Sequence, residues 1–469
     1  MIFCVSLTLS SQTSTTPLKK YLSSYWIRSA VFTFLQRFSL TLFGFVNFII
    51  LIRSLTKPEM GVWAFFLIVT TMFETVKANL LKNAHIKFVG NSSKDKTAIA
   101  SSSFLLNAAI TLLFITLLFL LSGKLSFWLG AGTELETMLK YWIPGLIVLI
   151  FFSHLEAVSQ SHLDFKSIFA GYLSRQVLFF LFILAHFILK IHMTLTDVVV
   201  YQSISVFFGT IVIYFFSKKY LLYVFNPTMK WIKQLLGFGG YIFGIGLISN
   251  IFASLDQLMI GKFTSSKSMV ANYNAASRIS ALVDIPSYAA AEILLPKVSQ
   301  IDLTEGYHKV TYMYERMVGI LLCMSIPTAL VIFIVPRFFI ATIAGAQYQD
   351  AAFILQMYML AAMIKPIVNQ AANIFLYIGK ARFCFFLNSG LLAVNFTLNY
   401  LCFTEFGAYG AAVGNIISCV VAVLIWYPIL QKNLSVNFLN IIKHAVDTYK
   451  IIFLRIVFIR KLPRMGLKL

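Results

Sequence analysis

Acidic residues are scarce in this chain: 17 Asp and Glu among 469 residues, against 38 Lys and Arg. Only 12% of the residues are charged, where soluble domains carry about 25%, so the length does not divide into ordinary soluble units. Cysteine is sparse too. Cys4, Cys323, Cys384, Cys402 and Cys419 form no CxxC pair, and four of them fall inside apolar runs. That pattern excludes a disulfide framework and a thiolate metal site, and no cofactor is expected. Long polar segments are also missing. No stretch between apolar runs exceeds about 25 residues, below the roughly 50 that an independent domain needs, so there is no room for an extramembrane catalytic domain.

What fills the chain is apolar: 59% hydrophobic residues and a mean hydropathy of +0.83. Runs of about 20 apolar residues recur from Ala30 to Tyr427, each long enough to cross roughly 30 Å of hydrocarbon. The expected fold is an all-α polytopic membrane protein with about 12 transmembrane helices. The first six are placed near 30–52, 60–78, 101–121, 139–161, 170–189 and 196–216. The second six fall near 237–260, 270–296, 314–335, 351–377, 383–403 and 408–430. The chain then divides into a lead-in (1–29), a six-helix bundle (30–217), a linker (218–236), a second six-helix bundle (237–430) and a basic tail (431–469).

The net charge of +21 has the sign of a nucleic-acid binder, but its distribution has not. About 27 of the basic residues lie in loops on the N-terminal side of the bilayer and about eight on the other, the bias that orients membrane proteins. Both termini are therefore expected in the cytoplasm, at a bacterial inner membrane, with no nucleic-acid partner. The opening stretch, MIFCVSLTLSSQ, lacks a basic region ahead of its apolar residues and reads as a cytoplasmic lead-in rather than a signal peptide. The tail, NIIKHAVDTYKIIFLRIVFIRKL, reads either as a helix lying on the anionic inner leaflet or as a weakly ordered extension.

The two halves resemble each other. IRSLTKPEMGVWAFF (52–66) aligns with KFTSSKSMVANYNAA (262–276) at an offset of about 210, pairing Gly61 with Ala271 and Trp63 with Tyr273. The same offset sets Glu74 against Asp284. FKSIFAGYL (165–173) matches KARFCFFLN (380–388) more loosely. Because each half has an even number of spans, the copies run parallel, related by an axis along the membrane normal, and can rock against a central site.

Charges at bilayer depth are the candidate functional groups, since each is costly there and must face protein or water. Arg37 shares a face with Thr33, Thr41, Gly44 and Asn47 and needs an anion: Glu74, Asp284 or a substrate phosphate. Arg278 and Asp284 lie on a helix whose Ser277, Ser280, Asp284, Ser287 and Ala291 form one stripe, suited to lining a cavity or to close helix packing. Lys365 precedes Pro366, which frees a backbone carbonyl and bends a helix. Asp256, in FASLDQLMIGKF, is about 28 Å along its helix and is expected at the outer mouth, near headgroups or Lys262, as an outer-gate residue. Glu156, His154 and Arg175 read as boundary ion pairs. The glycines of GFGGYIFGIG fit no nucleotide fingerprint and allow close packing or flexing.

Three segments carry a family resemblance. RSLTKPEMGVWAF is similar to an Arg-Leu-Leu-Gly-Pro-Glu-x-x-Gly-x-Tyr run, with Arg53, Pro58, Glu59, Gly61 and Trp63 in place. SNIFASLDQLMIGKFTSSKSMVANYNAASRISALVDIP offers Asp256, Ile260, Gly261, Tyr273 and a later Pro296, with Ala271 or Asn272 where a glycine is usual. FGAYGAAVGNIIS resembles a Gly-x-x-Gly-Ala-Ala opening of the last helix. In order and spacing these resemble the polysaccharide transporter family, of Wzx-type flippases in the MOP exporter superfamily. The resemblance implies a MATE-like pair of bundles and transport, not catalysis, of an undecaprenyl-diphosphate-linked oligosaccharide. On that basis Arg37, Arg278 and Lys365 are the candidates to hold the diphosphate, and Glu74 and Asp284 to pair with them or carry a coupling cation. The implied partners are the lipid-linked substrate, membrane lipids, and a polysaccharide polymerase with its assembly proteins, around a monomer. A cation-coupled drug exporter and a membrane glycosyltransferase are the rival readings.

Overall fold

The structure, a computed structural model, describes residues 25–91, 95–221, 224–298 and 307–461. The first half comprises α1 (Tyr25–Ser54), α2 (Lys57–Lys77), α3 (Asn83–Asn91), α4 (Lys96–Trp128), α5 (Gly132–Tyr141), α6 (Ile143–Ser161), α7 (Phe165–Leu189) and α8 (Leu195–Ser217). The second comprises α9 (Met229–Thr264), α10 (Lys267–Val298), α11 (His308–Ile334), α12 (Pro336–Ile343), α13 (Ala352–Tyr377), α14 (Ala381–Phe406), α15 (Gly410–Leu434) and α16 (Phe438–Lys461). No strand occurs among the described residues. That follows from the solvent, since in hydrocarbon a backbone must satisfy its polar groups within its own segment.

By length and composition ten segments can cross a bilayer. The longest, Ala381–Leu434, is the two helices α14 and α15 joined by the turn Gly407–Tyr409. Helix α10, whose apolar character Arg278, Asp284 and several serines dilute, completes the expected twelve among the described residues. Most helices outrun their apolar stretches, because the backbone stays helical into the polar flanks. Met229–Leu236, placed by sequence in the linker, is already the start of α9. Two short amphipathic helices, α5 and α12, were not separable by apolar runs. Each follows the third span of its half, and this shared position repeats the internal symmetry.

Helix starts follow local chemistry. The Thr56 hydroxyl accepts from the Glu59 amide, while the Glu59 carboxylate accepts from the Thr56 amide at 2.8 Å, and Pro58 sits in the first turn where a missing N–H costs nothing. Thus the PEMG motif begins α2. Its end is unusual: α2 passes through a π turn, Ala78–Lys82, into α3.

The halves meet chiefly where α2 packs on α10, and where α9 packs on α2, the π turn and α4. The repeat-related Trp63 and Tyr273 are both buried in this region. Gly61 admits the Lys267 backbone, and Gly261 admits the Phe65 ring and the Leu129 carbonyl, approaches that a Cβ would block. Around this seam the loops latch. Lys57 pairs with Asp350 at 3.1 Å and Lys267 with Glu134 at 2.9 Å; Arg53 donates to the Thr342 carbonyl, and Gln347 to the Ile52 carbonyl at 3.4 Å. Among the described residues, both ion pairs that join the halves lie at this end.

The tail departs from a helix lying on headgroups. Buried Glu315 of α11 accepts from the Asn437 amide at 2.7 Å and the Asn440 side chain at 3.1 Å, at the start of α16. Farther along, Tyr449 donates to the Cys323 carbonyl at 2.8 Å. Helix α16 therefore runs alongside α11 and in the same direction. A buried carboxylate needs donors, and a helix N-terminus supplies them.

Candidate functional site: a cationic cavity in the first half

A cavity of about 450 Å³ lies inside the first bundle, walled by α1, α2, the π turn, α4, α6 and α7. Its charges are Arg37, Glu74, Lys77, Lys82, Glu156 and Arg175. Four basic side chains thus share the cavity with two carboxylates. Lys82 pairs with Glu156 at 2.7 Å, and the Tyr172 hydroxyl donates to the same carboxylate at 3.0 Å. Arg175 reaches Glu74 at 3.9 Å. Both carboxylates are thereby engaged.

Lys77 is the group in excess. It is 4% exposed, and its ammonium meets the Thr111 hydroxyl at 3.5 Å and lies 5.4 Å from the centre of the Phe73 ring. Glu74 and Glu156 act on it across the cavity without an ion pair, so part of a desolvation cost of several kcal/mol stays uncompensated. An anion entering the cavity offsets that cost.

The π turn explains why Lys77 and Lys82 share this wall. Five residues apart, they would diverge on an α-helix, whereas i to i+5 closure brings them to one side. Sequence reasoning singled out neither lysine, nor Tyr172. The available signal was a pair of lysines at a spacing of five just past an apolar run, which no α-helical template picks out. His154, Glu156 and Arg175, read as boundary ion pairs, line the same cavity.

The other residues singled out by sequence divide between the two halves. Arg37 and Glu74 line the cavity; Arg278, Lys365, Asp284 and Asp256 do not. Arg278 is exposed on α10. The stripe of Ser280, Asp284 and Ser287 is buried, with Gln370 of α13 donating to the Ser287 carbonyl at 3.0 Å and Tyr377 to that of Ala291 at 3.1 Å. These two bonds pack α10 on α13. Lys365 on α13 is half-buried, within electrostatic reach of Asp284 but without an ion pair among the described residues.

Asp256 does not face headgroups, nor Lys262, which lies over the Trp128 ring. It is 5% exposed and accepts from Tyr358 at 2.8 Å, Asn399 at 2.7 Å and Asn415 at 2.9 Å. One carboxylate thus ties α9 to α13, α14 and α15. Nearby, Tyr273 donates to the Ala408 carbonyl at 2.6 Å and accepts from the Ala412 amide at 3.1 Å. The placement at the outer mouth rested on distance along one helix; three packed neighbours, invisible to that count, bury the group. The amide oxygens of Asn399 and Asn415 lack partners beside it, so this is the oxygen-rich spot suited to a monovalent cation or a proton. The four described cysteines are buried thiols, and among the described residues no group of three His, Cys, Asp or Glu is placed to hold a metal.

Comparison with known proteins agrees with this architecture. A model of the polysaccharide biosynthesis protein family matches residues 50–353. Teichuronic acid biosynthesis protein TuaB of Bacillus subtilis (strain 168) is 21% identical over 302 residues, 63% of this chain and 59% of that protein, so the match spans about three fifths of the relative's length. Among solved structures, lipid II flippase MurJ in an inward closed conformation superposes with a TM-score of 0.72 at 14% identity, over 92% of this chain and 93% of that one. An inward-facing multidrug resistance MATE family transporter of the MOP superfamily gives a TM-score of 0.71 at 15% identity, over 84% and 94%. With more than half its length matched by the family model, the chain belongs to the polysaccharide biosynthesis protein family, on the fold of the MOP superfamily.

Proposed function

We propose that the protein is a flippase that moves an undecaprenyl-diphosphate-linked oligosaccharide from the cytoplasmic to the outer leaflet of a bacterial inner membrane. The observation that carries this reading is the excess of fixed cations, Lys77 above all, in a cavity at membrane depth. A dianionic headgroup is the kind of ligand that such a cavity accommodates, through charge-assisted hydrogen bonds. The names of its relatives, a teichuronic acid biosynthesis protein and a lipid II flippase, point to the same substrate class.

With the N-terminus cytoplasmic, the latched end faces outward and the Lys77 cavity lies toward the cytoplasm, while α16, running with α11, carries its C-terminal end away from the cytoplasm, against the expectation that both termini lie there. The anion is captured by Arg37, Lys77, Lys82 and Arg175. The latch through Lys57, Lys267 and Arg53 then breaks as the bundles rock about the Gly61 and Gly261 seam, with Arg278 and Lys365 meeting the headgroup along the way. Glu74 releases Arg175 as the substrate arrives. A polymerase and assembly proteins consume the delivered unit. Asp256 supports a second reading, a cation-coupled exporter, because a buried carboxylate flanked by unpartnered amide oxygens is a cation acceptor.

The test uses proteoliposomes carrying a fluorescent polyprenyl-diphosphate oligosaccharide and a membrane-impermeant quencher. Leaflet exchange above protein-free vesicles, lost in Arg37→Ala at equal reconstitution, is the expected outcome. Efflux of small organic cations without lipid exchange would instead establish the exporter.

A further inference from the structure

Three of the chain's seven histidines gather next to the cationic cavity. A second cavity, of about 240 Å³, lies behind it toward the ends of α6 and α8, lined by His85, His154 and His162 together with Lys96, Ser161 and Tyr220. His154 lines both cavities. The His85 ring, 1% exposed, meets the His154 ring edge to face at 6.0 Å. His162 lies stacked on Tyr220 at 4.6 Å.

The two inner histidines have an unmet need. The Nδ1 atoms of His85 and His154 are buried and have no hydrogen-bond partner, and a buried ring nitrogen left so costs about 1–3 kcal/mol. At this volume the second cavity can hold several waters, each needing about 30 Å³. The pair thus separates a water-sized space from a site built for an anion, and imidazole is the side chain that changes charge near neutral pH.

The surrounding charges decide when it does so. Lining the first cavity with His154 are Glu156 of its own helix, Arg37 of α1, Lys77 and Glu74 of α2, Lys82 of the π turn, and Tyr172 and Arg175 of α7; His162, just past α6, Lys96 of α4 and Tyr220 line the second. While the first cavity is empty, burial first, and with it the surplus of lysine and arginine nearby, opposes a positive charge on the pair. A bound dianion reverses that balance.

We propose that anion binding in the cationic cavity is linked to the uptake of one proton by the His85 and His154 pair, delivered by water in the second cavity. This rests on the cationic cavity being an anion site, as proposed above. The proton adds to a lone pair on an imidazole nitrogen, so no bond breaks in the anion. Release of the anion returns the proton to the same water. By linkage, acid tightens binding and alkali weakens it.

The experiment measures sulfate binding to the full chain in detergent from pH 5.5 to 8, because sulfate remains a dianion throughout. The wild type should bind about tenfold more tightly for each unit of acidification where the linked proton is taken up. In His154→Gln and His85→Gln, measured separately so that one folded variant suffices, affinity should change less than about twofold across the range. A pH dependence that survives in both variants, or that is absent from a wild type which binds sulfate, overturns the proton linkage and leaves the anion site standing. No sulfate binding by the wild type at any pH overturns both.

Discussion

The two bundles repeat one topology and fill it with opposite chemistry. Inside the first, charges face one another across open space: Lys82 with Glu156, Arg175 with Glu74, and Lys77 with no carboxylate. Inside the second, one carboxylate, Asp256, is closed in by a tyrosine and two asparagines, and Asn395, Asn399 and Ser418 extend the network. A low dielectric strengthens both arrangements and penalises any unpaired member. The first has cations to spare around open volume; in the second, three donors close directly on Asp256. One half gathers its charges around a cavity, and the other uses a carboxylate to join its helices.

Substitutions can break that contrast. Asp256→Leu should have the largest effect on stability, because three buried donors lose their acceptor; a loss of about 3 kcal/mol or more is expected, read as a lower unfolding temperature in detergent. Lys77→Met should do the reverse, leaving stability unchanged or raised, since an uncompensated buried ammonium is replaced by an apolar chain of similar length. Its cost should fall on transport, with leaflet exchange reduced more than about tenfold, equivalent to about 1.4 kcal/mol.

Smaller effects sharpen the comparison. Glu156→Gln leaves Lys82 in a cavity that water can enter, so the expected loss is about 1 kcal/mol, well below that at Asp256. Equal losses at Glu156 and Asp256 would contradict the division of roles. Removing both inter-half pairs, with Lys57→Ala and Lys267→Ala together, should change stability by only about 0–1 kcal/mol. The same double variant should increase maleimide labelling of a cysteine placed at Ala271, on the latched seam, as the outward-open population grows.

Much of this architecture was legible in the sequence because hydrocarbon leaves so few options. Apolar runs located the spans, and the offset between Trp63 and Tyr273 located two copies that do lie together at the seam. Family-like segments also had a physical basis: Pro58 and Glu59 start α2, Gly61 and Gly261 let the halves touch, and Tyr273 is held by the 406–418 stretch. The sites were harder. Arg37 and Glu74 were singled out and do share a cavity, but α-helical periodicity hid Lys77 and Lys82, whose common face depends on a π turn. Distance along α9 could not show the neighbours of Asp256, which come from three helices more than 100 residues away. The course of α16 was hidden in the same way, since the need of Glu315 for donors is visible only once α11 is packed.

The measurement closest to the central claim is leaflet exchange of a polyprenyl-diphosphate oligosaccharide in proteoliposomes, comparing the wild type with Lys77→Gln at equal protein content. Exchange by the wild type that falls more than about tenfold in the variant, at unchanged unfolding temperature, is the result expected of an anion-binding first half. Undiminished exchange in a folded Lys77→Gln protein would contradict it.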